Sequence, residues 1–375
     1  MPKIKLSDLM TPSLLVDYEK LENNIRSMAT KAKKNGVNLR PHVKTHKCIE
    51  IGKMQVERGA TGITVSTLGE AEIFAKAGFD DITYAVPISR NKIQKALELS
   101  SNISLKILVD SPAIVNELDK ASHEVQNKIE VMVKVDCGYH RCGIDPKSNA
   151  AVNLVKKIDD AQNLSFKGIL THAGHSYLAK NESEIKRIAE QEQQVMADFA
   201  KILGRNGLSP EVVSIGSTPT VALADTFLDE ITEIRPGNYV FYDYTQVVLG
   251  TCKLSDCALT VLASIVGTYS DRIVIDAGAT ALSKDQGPAH KIPNCGFGKV
   301  IEDYDKCVLA SSVNIDSLTQ EHGKVIVTGE SNTQFNNSDL IRILPNHSCL
   351  SANLFDKYIV VEQDKILDSW SIRHI

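Results

Sequence analysis

Short runs of β-branched and other apolar residues recur along the chain, separated by longer stretches in which apolar residues return every three or four positions among charged ones. The first rhythm predicts strands and the second amphipathic helices; their alternation predicts βαβ units around a parallel sheet. After SLLVD (Ser13 to Asp17) and a helix beginning near Tyr18, the strand candidates are NLRPHVK (38–44), GITVST (62–67), DITYAV (81–86), SLKILVD (104–110), IEVMVKVD (129–136), FKGILTHAG (166–174), EVVSIGST (211–218) and EITEIRPG (230–237). Eight such runs, nearly each followed by a helical stretch, predict an α/β fold of the (β/α)8 TIM-barrel type rather than an open doubly wound sheet. From about Tyr244 the rhythm changes to CALTVLASIVGTYSDRIVIDAG, KVIVTGE and KYIVVEQDKILDSW, strands with short polar turns, which predict a second, C-terminal, mostly antiparallel β domain. This divides the chain into a barrel over 13–243 and a β domain made of 1–12 with 244–375. SLLVD, outside the count of eight, is equally open to joining the second domain.

Composition narrows the function. The 375 residues are 43% hydrophobic and 23% charged, which is ordinary for a folded chain. With 42 Lys+Arg against 46 Asp+Glu the net charge is −4, so there is no surplus of positive charge to hold a nucleic acid backbone. No stretch approaches the roughly 20 apolar residues that cross a bilayer, and MPKIKLSDLM is too short in apolar residues for a secretory signal. The expectation is therefore a cytoplasmic protein with no membrane contact. Eight cysteines at this length read as reduced thiols rather than a disulfide framework.

Chemistry in a barrel sits at the carboxyl ends of its strands, and the unusual polar residues fall there. The first run ends in Arg40, Pro41, His42, Val43, Lys44, Thr45, His46 and Lys47. By strand alternation Lys44 points opposite to Val43, either into the barrel mouth or onto the helix layer. In the mouth it is a candidate nucleophilic amine; elsewhere it is a solvated lysine. The fifth run ends KVDCGYHRCG, where glycines flank Arg141 and allow it to clamp a carboxylate or ring oxygen, unless it pairs with a surface acid. THAGHSY offers His172, His175 and Tyr177 to stack on a flat ring or relay protons. GSTPT supplies Ser217 and Thr218, and RPGN supplies Gly237 and Asn238, on the loops after the seventh and eighth strands where barrels hold phosphate. In the second domain PNHSC sets His347 and Cys349 two residues apart, so that in extended backbone both face one side and can share an ion, zinc before other divalent metals.

RPHVKTHK, KVDCGYHRCG, THAGHSY, GSTPT, RPGNYVFYD and PNHSC, in that order, resemble the D-serine dehydratase and D-threonine aldolase-like family of alanine-racemase-type, fold III pyridoxal-phosphate enzymes. The resemblance runs from Thr11 to the C-terminal strands. It implies a homodimer acting on a small-molecule D-amino acid, with Lys44 as the lysine that joins covalently to pyridoxal phosphate and removes the substrate's α-hydrogen. It implies Arg141 near the ring oxygen, Tyr177 on the cofactor, Thr218, Gly237 and Asn238 on the phosphate, and His347 with Cys349 on a divalent metal, zinc by preference. His172 completes the catalytic set expected from the barrel. Aldolases of the family typically carry aspartate as the second metal ligand, so Cys349 implies a dehydratase that turns D-serine, or a related β-hydroxy-D-amino acid, into a keto acid and ammonia. The alternatives are a metal-dependent D-threonine or 3-hydroxy-D-aspartate aldolase and a cofactor-carrying protein without turnover. Leu170 departs from the tyrosine often found before the Thr-His pair in dehydratases.

Overall fold

The computed structural model describes residues 5–124, 128–328 and 335–374 and contains two compact units. The chain opens on β1 (Ser13–Asp17) and α1 (Tyr18–Lys34). Eight strand–helix pairs follow: β2 (Asn38–Leu39), α2 (Ile49–Glu57), β3 (Ile63–Val65), α3 (Leu68–Lys76), β4 (Asp81–Pro87), α4 (Ile93–Ser100), β5 (Ser104–Val109), α5 (Pro112–Ala121), β6 (Ile129–Lys134), α6 (Asn149–Asp159), β7 (Leu164–Leu170), α7 (Glu182–Arg205), β8 (Val212–Ile215), α8 (Thr218–Leu223), β9 (Glu233–Ile234) and α9 (Tyr244–Leu249). The eight strands β2 to β9 are parallel; β3 to β9 each pair with the next, and β2 pairs with β9. The backbone N–H of Thr64 donates to Pro41 O at 2.8 Å, and a parallel bridge joins His42 to Thr64, closing the ring.

These elements form where local chemistry directs them. Pro112 opens α5, where its missing N–H costs nothing. Thr67 caps α3 by accepting from Glu70 N. Inside the ring the alternation of β9 turns Glu233 inward, and its Oε2 accepts from Arg40 Nε at 2.6 Å while Oε1 accepts from Ser214 Oγ at 2.5 Å. Arg40 also donates to both oxygens of Asp81, at 2.8 and 3.0 Å. Gly62 is required beside this ladder, because a Cβ there would lie 2.1 Å from the Arg40 guanidinium. A second layer of apolar side chains includes Leu108, Met132 and Leu170.

The other unit is a mixed sheet. It contains β10 (Leu259–Thr268), β11 (Arg272–Ile275), β12 (Lys299–Asp303), β13 (Val308–Leu309), β14 (Val313–Leu318), β15 (Gly323–Val327), β16 (Leu340–Leu344), β17 (Lys357–Glu362) and β18 (Lys365–Ser371), with the short helices α10 (Ala279–Leu282) and α11 (Ser348–Ala352). Every pairing is antiparallel except β1 with β17. Strand β1 lies inside this sheet, between β10 and β17, so the boundary at residue 13 moves: Ser13–Asp17 is not barrel. The compact units divide accordingly, with residues up to Ser27, Thr45–Glu50 and Asn238–His374 in one and Met28–Lys44 and Ile51–Gly237 in the other. No described helix is long and apolar enough to cross a membrane.

Candidate active site

The first barrel strand is shorter than its sequence suggests. It ends at Leu39, though Arg40 N and His42 N still donate to Ile234 O and Pro236 O at 3.0 Å, and Lys44 lies in a one-turn 3-10 helix, Val43–Thr45, beyond them. The alternation argument therefore does not apply to Lys44, whose side chain is exposed. Its backbone N–H donates to His42 Nδ1 at 3.4 Å, and His42 Nε2 lies 3.2 Å from Ser66 Oγ. Loss of solvation, then the charges of Lys44 and Arg235, hold His42 neutral, far below the usual histidine range. His172 is treated alike: burial first, then Lys44 and Lys134, push it well down. Its Nδ1 faces the Gly216 carbonyl at 3.1 Å, which accepts only, so Nδ1 carries the hydrogen and Nε2 keeps its lone pair.

Two buried cations stand in the same unit. Burial, reinforced by Arg235, lowers Lys134 to about 8 at the end of β6. Arg235 is lowered to about 10 by burial; it donates from Nη1 to Ser214 Oγ at 2.9 Å and from Nη2 to Thr171 O, while its Nε has no protein partner. Sequence reasoning left both unassigned. The available signal was a lysine and an arginine standing in otherwise apolar strand ends.

The loop after β6 is folded on Asp136, whose Oδ1 accepts from Gly138 N at 2.9 Å and His140 N at 3.0 Å. Gly143, at φ +113°, lets the chain return against Asp136 N and Lys134. Arg141 projects outward over the Tyr139 ring, 5.0 Å from its centroid, and Tyr139 in turn meets His172 edge-on and stacks on His175, each at 6.0 Å. Tyr139 thus joins Arg141 to the histidines, a role no spacing rule assigned to it. Tyr177 lies half-buried in the 3-10 segment Gly174–Leu178.

At the seventh loop, Ser217 caps α8 and its hydroxyl is engaged by Thr220 N and lies 2.9 Å from Ser176 Oγ. Glu192, which the sequence did not single out, accepts from Ala173 N and Gly216 N, both at 3.0 Å, and from Thr220 Oγ1 at 3.0 Å, tying the loops after β7 and β8 together. Thr218 is fully buried and Gly237 half-buried.

In the other unit His347 precedes α11 and Cys349 lies in its first turn, and the two side chains interact electrostatically. Burial opposes charge on both, yet Asp285, 3.4 Å from His347 Nδ1, and the thiol raise the imidazole well above its usual range, while His347 draws the thiol below its own. Asn238 sits with them: its Nδ2 donates to Asp243 Oδ2 at 2.7 Å, Ser348 Oγ at 2.9 Å and Cys349 Sγ at 3.5 Å. Only the Asn238 backbone is left for a phosphate. Among the described residues no three or more His, Cys, Asp or Glu side chains gather tightly enough to hold a metal alone, so this pair needs further ligands from water or substrate.

Both donor sets fit the groups the sequence suggested. Partnerless buried atoms, Arg235 Nε and His175 Nδ1, together with a lysine and two neutral histidines, suit a flat anionic aldehyde; a polarised imidazole–thiol pair backed by a carboxylate suits zinc.

Residues 16–245 match the family model described as alanine racemase, N-terminal domain, and residues 258–361 match a putative serine dehydratase domain. The chain is 41% identical to the D-serine dehydratase of Dictyostelium discoideum, covering 97% of each chain. It is 35% identical to the D-threo-3-hydroxyaspartate dehydratase of Delftia sp. (strain HT23), covering 98% of each. A solved structure of a D-threo-3-hydroxyaspartate dehydratase, a cysteine-to-alanine variant in the metal-free form, superposes with a TM-score of 0.94 at 33% identity, covering 99% of this chain and 100% of that one.

Proposed function

Because the chain belongs to the D-serine dehydratase and D-threonine aldolase-like family, within the alanine-racemase type, we propose that it is a pyridoxal-phosphate- and zinc-dependent dehydratase of D-serine or a related β-hydroxy-D-amino acid. The observation that carries the reading is the His347–Cys349 pair, with Asp285 3.4 Å from His347 Nδ1 and Asn238 Nδ2 3.5 Å from Cys349 Sγ, a thiol-bearing ligand set in a chain whose full-length relatives include dehydratases.

Lys44 holds the cofactor and, freed as an amine, takes the proton from the substrate's α-carbon. Pyridoxal phosphate supplies, when bound, the electron sink that makes that hydrogen acidic. His347 and Cys349 would hold a divalent ion, which when bound would supply Lewis acidity toward a β-hydroxyl, a poor leaving group in neutral water. Arg141 and Tyr177 contact the ring side of the cofactor, and Thr218, Gly237 and the Asn238 backbone its phosphate. His172 and His42, both neutral, keep lone pairs in a cup already made cationic by Lys44, Lys134 and Arg235, so the cup favours a phosphate and a carboxylate without accumulating further charge. Thr45 receives a hydrogen bond from Cys349 Sγ at 3.4 Å. The same reading takes the working form to be a cytoplasmic homodimer, checked by mass in solution.

The test is to incubate the purified protein with D-serine, D-threonine and D-3-hydroxyaspartate, with and without chelator, and identify the products. Keto acid and ammonia, lost on chelation, support the proposal. Glycine with an aldehyde or glyoxylate would make it an aldolase, and no product would make it a cofactor carrier.

A further inference from the structure

One carboxylate gathers the segment that carries the candidate metal pair. Asp243 is 1% exposed. Its Oδ2 accepts from Asn238 Nδ2 at 2.7 Å, from the backbone N–H of Ser348 at 3.0 Å and from Ser348 Oγ at 3.3 Å, and its Oδ1 accepts from Gln246 N at 3.0 Å, capping α9. Ser348 stands between His347 and Cys349 in the chain, so the peptide joining His347 to Ser348 is the one whose N–H Asp243 takes. From the same carboxylate Asn238 reaches on to Cys349 Sγ at 3.5 Å. Two ligands separated by one residue converge only if the intervening backbone is held at one set of dihedral angles, and here four donors on three segments are held by one acceptor-only group.

We propose that Asp243 is a positioning residue for the divalent ion at His347 and Cys349, an inference that rests on the metal reading above. A carboxylate is needed because only two acceptor-only oxygens can take all four hydrogen bonds. Asparagine at 243 would cap α9 as well as aspartate does, yet it would turn an NH2 group toward the Ser348 N–H and the Asn238 amide. The substitution therefore keeps the helix start and removes only the grip on the metal turn.

The experiment uses the pyridoxal-phosphate-loaded protein, stripped of metal by chelator and titrated with zinc, with cobalt(II) added in a parallel sample to read the thiolate–metal absorption. In Asp243→Asn the zinc dissociation constant rises about 10- to 100-fold, the range seen when outer-shell partners of metal ligands are lost. Ser348→Ala, which keeps the N–H and loses only the hydroxyl, shows a smaller rise. The cobalt–thiolate band weakens in step, while the bound cofactor's visible absorbance stays at the parent's value and the thermal midpoint falls but leaves the protein folded at the assay temperature. Unchanged zinc affinity in Asp243→Asn overturns the inference and leaves the metal reading standing. Zinc and cofactor lost together would make Asp243 a general fold residue, which also overturns it. A parent protein that takes up no zinc sinks the metal reading itself, and this inference with it.

Discussion

Nε of Arg40, on the segment that leaves β2, donates to Oε2 of Glu233 on the neighbouring strand β9 at 2.6 Å, and both side chains are almost fully buried. Burial disfavours the guanidinium charge, but Glu233 and Asp81 more than restore it, so the cation is held more firmly than in water. Removing the Glu233 charge would leave Arg40 balanced by Asp81 alone. Glu233→Gln is expected to destabilise the protein by about 1.5–3 kcal/mol, the range of a hydrogen bond to a charged group, read as a lowered urea midpoint with an unchanged slope.

Lys44→Ala is expected to abolish both turnover and the visible absorbance of the bound cofactor, because no other residue takes the covalent role in this reading. An unaltered spectrum after reconstitution and dialysis would refute the assignment.

Cys349→Asp replaces a soft thiolate by a hard carboxylate beside His347. The expected outcome is retained cofactor, weaker zinc binding and slower elimination. Full zinc content with a normal rate would remove the metal from the mechanism.

The pH dependence of stability carries the signature of the neutral histidines. His42 resists protonation when folded, while the unfolded chain takes up its proton near the ordinary value of 6.5. The unfolded state then binds more protons in acid, so this contribution is complete above pH 6.5 and is lost as the pH falls. His42→Gln should flatten the acid limb by at most about 1.4 kcal/mol per pH unit, measured as the difference in urea midpoints between parent and variant from pH 7 to pH 5. A limb of unchanged steepness would mean that folding does not lower the proton affinity of His42.

The periodicity of the chain determined the eight barrel strands, the helices between them and the change to antiparallel pairing after Tyr244, because strand and helix patterns are written within ten or so neighbouring residues. The placing of polar residues at strand ends, and of an imidazole two residues from a thiol, was equally local. Tertiary structure decided what contact between distant segments decides. Ser13–Asp17 fits either sheet by pattern, and only its pairing with Thr260 and Val360 assigns it. Lys44 leaves the strand because the chain coils into the 3-10 turn Val43–Thr45 after His42, and no alternation rule survives there. Asn238 carries a phosphate-loop pattern, yet its amide turns to Ser348, 110 residues away, while Asp285 reaches His347 from 62 residues away. A hydrogen bond of that span has no period in the sequence; it exists only once folding has closed the loops that bring its ends together.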